Sequence, residues 1–266
     1  MKIVNKICKT MNKVNEDIIC YGQNFAFVLD GKSKLGRKKS SLTKWYVKIL
    51  LKEMKKNINK DTLLIGLNKS IKSASHIFKR NYPNEKMPSV SGCFLRKNGS
   101  KIEVLVVGNS KCLLKTKKIE LVEDPRMDKI ENNIVKKMKT LRESEKINML
   151  EARKQIQNMI IESHKKVNSM GGYPAITDKE LDENDIVYKE FAYKDVVSAV
   201  VCTDGFYAYK DYLMIKDKDL YEVIKNQGLS HCYSHIKRIQ SKDTSLNSFP
   251  RLTTYDDVSA IHIVFY

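Results

Sequence analysis

The chain has 266 residues, 42% of them hydrophobic, and 49 Lys and Arg against 31 Asp and Glu give it a formal net charge of +18. This composition is typical of a folded protein and excludes collagen-like, mucin-like and wholly disordered chains. No segment approaches the roughly 18 consecutive apolar residues of a membrane span, and the N-terminal segment turns polar too early for a signal peptide. We therefore expect a cytoplasmic protein that does not enter a membrane.

The positive charge raises the hypothesis of a nucleic-acid-binding domain, because clustered basic residues neutralise phosphates. Only eight of the 49 basic residues are Arg, however, and the lysines are spread along the whole chain. Phosphate and base-edge recognition favours the fork of Arg over the point charge of Lys. We keep nucleic-acid binding as an alternative that we do not favour, to be tested by a salt titration of DNA and RNA binding. Attraction to acidic or phosphorylated partners is the weaker inference that the charge supports.

The first half of the chain predicts strands, then two helices, then a hairpin. Residues 18–29 have the pattern of two short strands around a turn. Helical spacing of apolar residues begins near Ser41, and Asp61 is expected to cap a second helix. Between residues 91 and 122 several apolar runs alternate with turns, and the Asn98-Gly99 pair is the signature of a tight hairpin.

The second half repeats the order of helices and strands. Residues 128–167 are helical, with apolar residues on one side and charged residues on the other. Strands return at 196–202 and 259–265, with one or two helices between them. This order predicts an α+β fold with antiparallel sheets rather than a doubly wound parallel sheet. Since no linker or internal repeat divides the chain, we expect one domain over residues 1–266.

Acidic residues stand where predicted strands begin or end at four places in the chain. They are Glu16 and Asp17, Asp30, Asp204, and Asp256 with Asp257. A strand end holds a side chain rigidly while leaving it open to solvent, and carboxylate oxygens suit hard cations such as Mg²⁺ or Mn²⁺. Any single Asp of this kind is more simply explained as a turn cap. Four such positions in this order favour a cation site.

These segments together resemble the protein phosphatase 2C family, the metal-dependent serine/threonine phosphatases. The matching motifs are Asn15-Glu16-Asp17, Val28-Leu29-Asp30-Gly31, Ser91-Gly92, Val107-Gly108-Asn109-Ser110, Thr203-Asp204-Gly205-Phe206 and Asp256-Asp257-Val258-Ser259. Gly172-Tyr173 and Pro250-Arg251 resemble a bacterial branch of the family. The resemblance runs from about residue 12 to the C-terminus, and each motif gains weight from the order in which all of them occur.

The resemblance implies two packed antiparallel β-sheets flanked by helices, a four-layer αββα sandwich. It also implies hydrolysis of phosphoserine or phosphothreonine on proteins by a hydroxide that bridges two Mn²⁺ or Mg²⁺ ions. Catalysis would fall to Glu16, Asp30, Asp204 and Asp256. By this resemblance, Asp30 would bridge the two ions and Gly31 would coordinate through its backbone carbonyl. Glu16 would contact one ion, and Asp204 and Asp256 would contact the other. Asp17 would orient a water molecule. We expect a monomer that acts on phosphoproteins in bacterial signalling.

Three positions depart from the family pattern. Asn109 replaces an aspartate that helps to hold a weakly bound third ion. Asn12 stands where the family commonly has a phosphate-gripping arginine, so Lys9 or Lys13 would have to bind the phosphate as point charges. Lys32 occupies the place of a general-acid histidine and is a further candidate for phosphate binding. A rival hypothesis is therefore a pseudophosphatase that binds phosphoproteins in the same cleft without hydrolysing them.

Overall fold

The protein is described by a computed structural model over residues 1–33 and 40–266, in which ten strands form two antiparallel five-stranded sheets. The first sheet has the order β1 (Lys2–Lys9), β10 (Val258–Val264), β9 (Ser198–Cys202), β6 (Lys111–Lys115) and β7 (Ile119–Glu123). The second sheet has the order β2 (Ile18–Tyr21), β3 (Phe25–Lys32), β4 (Ser89–Asn98), β5 (Lys101–Val107) and β8 (Val187–Ala192).

The two sheets pack face to face because their central strands are apolar on both sides. In β3, Ala26 and Val28 point to the core between the sheets, while Phe27 and Leu29 point to the opposite face. This is the period of two expected of a strand. The core between the sheets continues through Val201 of β9 in the first sheet.

Helices cover the two outer faces. The second sheet is covered by α1 (Ser40–Asn57) and α2 (Leu63–Asn81), whose apolar side chains surround Phe27 and Phe94. The first sheet is covered by α6 (Asp204–Leu213), α7 (Asp217–Gln227) and α8 (Leu229–Lys242). Three more helices, α3 (Pro125–Glu145), α4 (Met149–Gln155) and α5 (Gln157–Lys165), share a separate apolar cluster. None of the helices in the described ranges is long and apolar enough to cross a membrane.

The predicted α+β fold of two packed antiparallel sheets between helical layers is confirmed. Two strands escaped the sequence analysis, β1 and β8. Both lie at sheet edges, and β1 buries only Ile7 while β8 buries none of its side chains. An edge strand with so few buried residues lacks the apolar alternation by which strands are recognised.

Two smaller expectations were wrong. The structure has three helices between β9 and β10 rather than one or two. The cap of α2 is Thr62, whose hydroxyl accepts a hydrogen bond from the backbone N–H of Ile65 at 3.3 Å. Asp61 instead accepts a hydrogen bond from Lys69 Nζ at 2.7 Å. Because Asp and Thr are both favoured as helix caps, residue type alone does not show which of the adjacent Asp61 and Thr62 caps α2.

Candidate active site

The acidic segments predicted from the sequence meet at one end of both sheets. Thr203, which follows β9 of the first sheet, donates a hydrogen bond from Oγ1 to Asp17 Oδ2 at 3.1 Å, and Asp17 precedes β2 of the second sheet. The same hydroxyl accepts from the backbone N–H of Ser259 in β10 at 3.1 Å. One threonine therefore ties together three strand ends that are far apart in the chain.

The carboxylates at this end lie close enough to oppose each other's ionisation. Asp30 is buried near the end of β3, opposite Ser91 of β4. Burial, and then the neighbouring charge of Asp204, holds the pKa of Asp30 well above its ordinary value. The pKa of Asp256 is raised by burial and then by Asp204 and Asp30. For Asp17, burial and then Asp30 raise the pKa in the same way. The structure thus brings Asp17, Asp30, Asp204 and Asp256 together.

Glu16 belongs to the same cluster but is less deeply buried. Its carboxylate accepts hydrogen bonds from the hydroxyl of Ser33 and from the backbone N–H of Ser33, the latter at 3.2 Å. Burial outweighs these hydrogen bonds and raises the pKa of Glu16 from 4.5 to about 7. A carboxyl group with a pKa near neutrality is one that a bound cation can readily convert to its charged form.

Asp257 has a structural task that the sequence analysis did not foresee. Its carboxylate accepts from the Thr10 hydroxyl, from Asn12 Nδ2 at 3.3 Å and from the backbone N–H of Glu16 at 2.5 Å. It therefore fixes the loop between β1 and β2, and with it the position of Glu16. The sequence signal for Asp257 is its place directly after Asp256, but one shared motif does not distinguish the roles of the two residues.

Two glycines allow the chain segments around the site to pack closely together. A Cβ on Gly205, at the start of α6, would lie 2.0 Å from the carbonyl oxygen of Asp257. Only a residue without a side chain lets the first turn of α6, which carries Asp204, approach the Asp256-Asp257 segment so closely. At Gly31 a Cβ would lie 2.7 Å from Thr43 Cγ2, so this glycine lets β3 pack closely against α1.

Two nitrogen-bearing side chains approach the same carboxylate oxygen of Asp204. The ammonium of Lys32 lies 3.8 Å from Asp204 Oδ2 and 3.5 Å from Glu131 Oε1. The side-chain amide of Asn109 donates a hydrogen bond to the same Oδ2 of Asp204. Glu131, on α3, was not anticipated, and no local pattern could have identified it because its partner lies 99 positions earlier in the chain.

The remaining predicted phosphate-binding residues lie at the rim. Lys9 ends β1, Asn12 and Lys13 follow it in the loop, and all three are exposed. Asn12 contacts Asp257. Their role in binding a phosphate, like that of Lys32, stays a prediction.

The donor chemistry of the cluster fits a hard divalent cation. Its groups are carboxylate and amide oxygens, and within the described residues the buried Asp17 Oδ1 and Asn109 Oδ1 have no hydrogen-bond partner. Such buried acceptors are costly unless something positive reaches them. Over residues 1–33 and 40–266, no three His, Cys, Asp or Glu side chains are already arranged to hold one ion. The residues therefore fit a metal in charge and donor type without forming a ready-made coordination shell.

No protein-family profile and no curated protein sequence matches this chain. Solved structures do match it. The serine/threonine phosphatase PstP/Ppp of Mycobacterium tuberculosis superposes with a TM-score of 0.58 at 13% identity, covering 99% of each chain. The chain has the fold of the bacterial serine/threonine phosphatases. Stp1 of Staphylococcus aureus gives a TM-score of 0.57 at 14% identity, covering 100% of this chain and 96% of Stp1.

A further match adds a metal to the comparison. The catalytic domain of PstP in complex with two manganese ions superposes with a TM-score of 0.58 at 11% identity, covering 98% of each chain. These likenesses span essentially the whole of each chain, and they confirm the resemblance to the protein phosphatase 2C family at the level of the fold. Because a fold does not define a function, the activity must be argued from the site.

Proposed function

We propose that this protein is a metal-dependent phosphatase that hydrolyses phosphoserine or phosphothreonine on proteins. The observation that carries the proposal is the cluster of buried Asp17 and Asp30 with the half-buried Asp204 and Asp256, held at one end of the two sheets against mutual repulsion. Such a concentration of buried negative charge is stable only if protons or cations compensate it. The shared fold with phosphatases, one of them solved with two manganese ions, supports the same function.

The chain's own residues suggest how the roles divide. Asp30, Gly31 through its carbonyl, Glu16, Asp204 and Asp256 would hold two Mn²⁺ or Mg²⁺ ions. When bound, the ions would lower the pKa of a water molecule and stabilise the charge that develops on the phosphoryl oxygens.

The residues around these ligands would position them and the substrate. Asp17, held by Thr203, would accept a hydrogen bond from the attacking water and orient it. Asp257 would keep Glu16 in place through the backbone of Glu16. Lys9 and Lys13 would attract the substrate phosphate at the rim.

The test is hydrolysis of a generic phosphomonoester and of a phosphothreonine peptide, with and without Mn²⁺. Wild type should show a Mn²⁺-dependent rate of hydrolysis. The Asp30→Asn substitution should reduce that rate at least about a hundredfold, because an amide is a neutral and weaker ligand. Asp195→Asn is a matched control, since Asp195 is exposed just before the opposite end of β9. A wild-type protein without any metal-dependent rate above background would refute the proposed activity.

A second candidate function is binding of a phosphoprotein without hydrolysis. It is favoured by the two nitrogen donors, Lys32 and Asn109, that already contact Asp204. Retention of an intact phosphopeptide by wild type in the presence of Mn²⁺ would support this candidate over the enzyme.

We also infer that residues 1–266 form a single domain that acts as a monomer in the cytoplasm. In the described residues, each sheet shares an apolar core with the helices on its outer face, and the two sheets share a third apolar core between them. A single sedimenting species of 30.7 kDa would support the monomer, and a species of twice that mass would contradict it.

A further inference from the structure

Lys32 has an unusual position for a lysine. It ends β3 two residues after Asp30, and since side chains two apart share one face of a strand, it projects on the same side as Asp30. Only 19% of its side chain is exposed. Its ammonium faces the carboxylates of Glu131 and Asp204.

The contacts of Asp204 leave little room for another cation. Its Oδ1 accepts from the backbone N–H of Gly205 at 3.0 Å, and its Oδ2 receives the Asn109 amide and faces the Lys32 ammonium at 3.8 Å. A divalent ion that used Oδ2 would have to move the ammonium away, because two cations at such a distance repel each other strongly in a partly buried site.

Lys32 also has a second place to go. Its ammonium lies 3.5 Å from Glu131 Oε1 and 3.6 Å from the sulfur of Met127, both on α3. A lysine displaced from Asp204 would therefore keep an acidic partner. Displacement would not leave an unpaired charge in the site, which is the usual obstacle to such a rearrangement.

We propose that the Lys32 ammonium is a tethered cation that competes with divalent metal ions for the acidic cluster and so lowers their affinity. The inference rests on the proposed function, because it assumes that the cluster binds metal. It adds that Lys32 raises the metal concentration needed to occupy the site.

The test is calorimetric titration of the full chain with MnCl₂ at fixed pH and ionic strength. Lys32→Met removes the charge while keeping an unbranched side chain, and it should bind Mn²⁺ at least about tenfold more tightly than wild type. Lys129→Met is the control, since Lys129 is an exposed lysine on α3, and it should stay within about twofold of wild type because an exposed charge is screened.

Thermal unfolding of the same proteins gives a second readout that does not depend on activity. Without metal, the Lys32→Met variant should unfold at a lower temperature than wild type, because the carboxylates lose their counter-charge. Addition of MnCl₂ should raise the unfolding temperature of Lys32→Met by more than it raises that of wild type. The Lys32→Gln variant should show the same changes. Agreement between the two variants would exclude poor folding of one of them as the cause.

The outcomes separate the two proposals. Equal Mn²⁺ affinity in wild type and both Lys32 variants would overturn the competition, and Mn²⁺-dependent hydrolysis by wild type would then leave the proposed function standing. Absence of Mn²⁺ binding in all proteins would overturn both. Mn²⁺ binding only after loss of Lys32 would support the competition and argue that wild type is not a working enzyme at ordinary metal levels.

Discussion

The raised pKa of Glu16 predicts that metal-free protein loses stability as the pH rises. In the folded state the pKa of this carboxyl is about 7, against 4.5 ordinarily, and burial is the main cause. Between these values the folded protein binds more protons than the unfolded chain. The contribution of Glu16 to stability is therefore fully present below pH 4.5 and is lost as the pH rises towards 7.

The size of the loss follows from the same two values. The rise from 4.5 to about 7 corresponds to about 3 kcal/mol, at about 1.4 kcal/mol for each pKa unit. Because Glu16 is only half-buried, solvent screens part of this effect, and we expect about 2–3 kcal/mol. Glu16→Gln resembles the protonated acid and should remove the loss, since the Ser33 hydroxyl can accept from the amide as readily as it donates to the acid.

The assay is urea unfolding followed by circular dichroism between pH 4 and pH 8.5, with a chelator present. The two proteins should be about equally stable at the acid end, and Glu16→Gln should be more stable by about 2–3 kcal/mol at the alkaline end. Glu143→Gln serves as the control, since Glu143 is an exposed residue of α3. Parallel pH profiles for wild type and Glu16→Gln would refute the reasoning.

Three further changes test other parts of the structure. Arg96→Met should cost about 3–5 kcal/mol in urea unfolding, because Arg96 and Glu103 form an ion pair whose side chains are each only 5% exposed. Gly205→Ala should lower the free energy of unfolding by about 1–3 kcal/mol, and should reduce Mn²⁺ affinity, since the new Cβ would lie 2.0 Å from the Asp257 carbonyl. Asn109→Asp should lower the thermal stability of metal-free protein and raise Mn²⁺ affinity about tenfold, because a carboxylate replaces a donor.

Each of these changes has an outcome that would contradict its reasoning. An Arg96→Met protein as stable as wild type would mean that Glu103 finds another partner or water. Unchanged Mn²⁺ binding by Gly205→Ala would show that the start of α6 can shift without cost to the site. An Asn109→Asp protein of unchanged metal affinity would separate Asn109 from the ion site altogether.

Much of the candidate site could be predicted from the sequence because its information is local. Each carboxylate adjoins a strong apolar strand, so both the strand and its acidic end could be recognised within a few residues. The hairpin of β4 and β5 is equally local, although its turn lies one residue later than the Asn98-Gly99 pair predicts. Asn98 pairs with Lys101, and the turn residues are Gly99, with a positive φ of 57°, and Ser100.

The parts that escaped prediction depend on contacts between distant segments. β1 pairs with β10, so Lys9 lies opposite Val258 across almost the whole chain. The partners of Asp257 in the β1–β2 loop and the pairing of Lys32 with Glu131 are of the same kind. No periodicity or motif encodes such pairs, because they arise only when the sheets and α3 have been packed.

The three departures from the family pattern become related once these distant contacts are known. Asn12 donates to Asp257, while Asn109 and Lys32 both contact Asp204. Each of the three therefore brings a nitrogen to a carboxylate of the acidic cluster or, for Asn12, to Asp257 directly beside it. Donors of this kind lower the cost of keeping several carboxylates together in the absence of metal.

A cluster that partly satisfies itself has two consequences of opposite sign. The metal-free chain can fold with the cluster in place, because Lys32 and the two amides offset part of the repulsion among its acids. The same donors occupy oxygens that an ion would use. Displacing them costs free energy, and this cost reduces the affinity of the site for metal. The stability of the empty site and its affinity for metal are thus opposed, and Lys32, the one full positive charge among the three donors, should shift that balance more than either asparagine does.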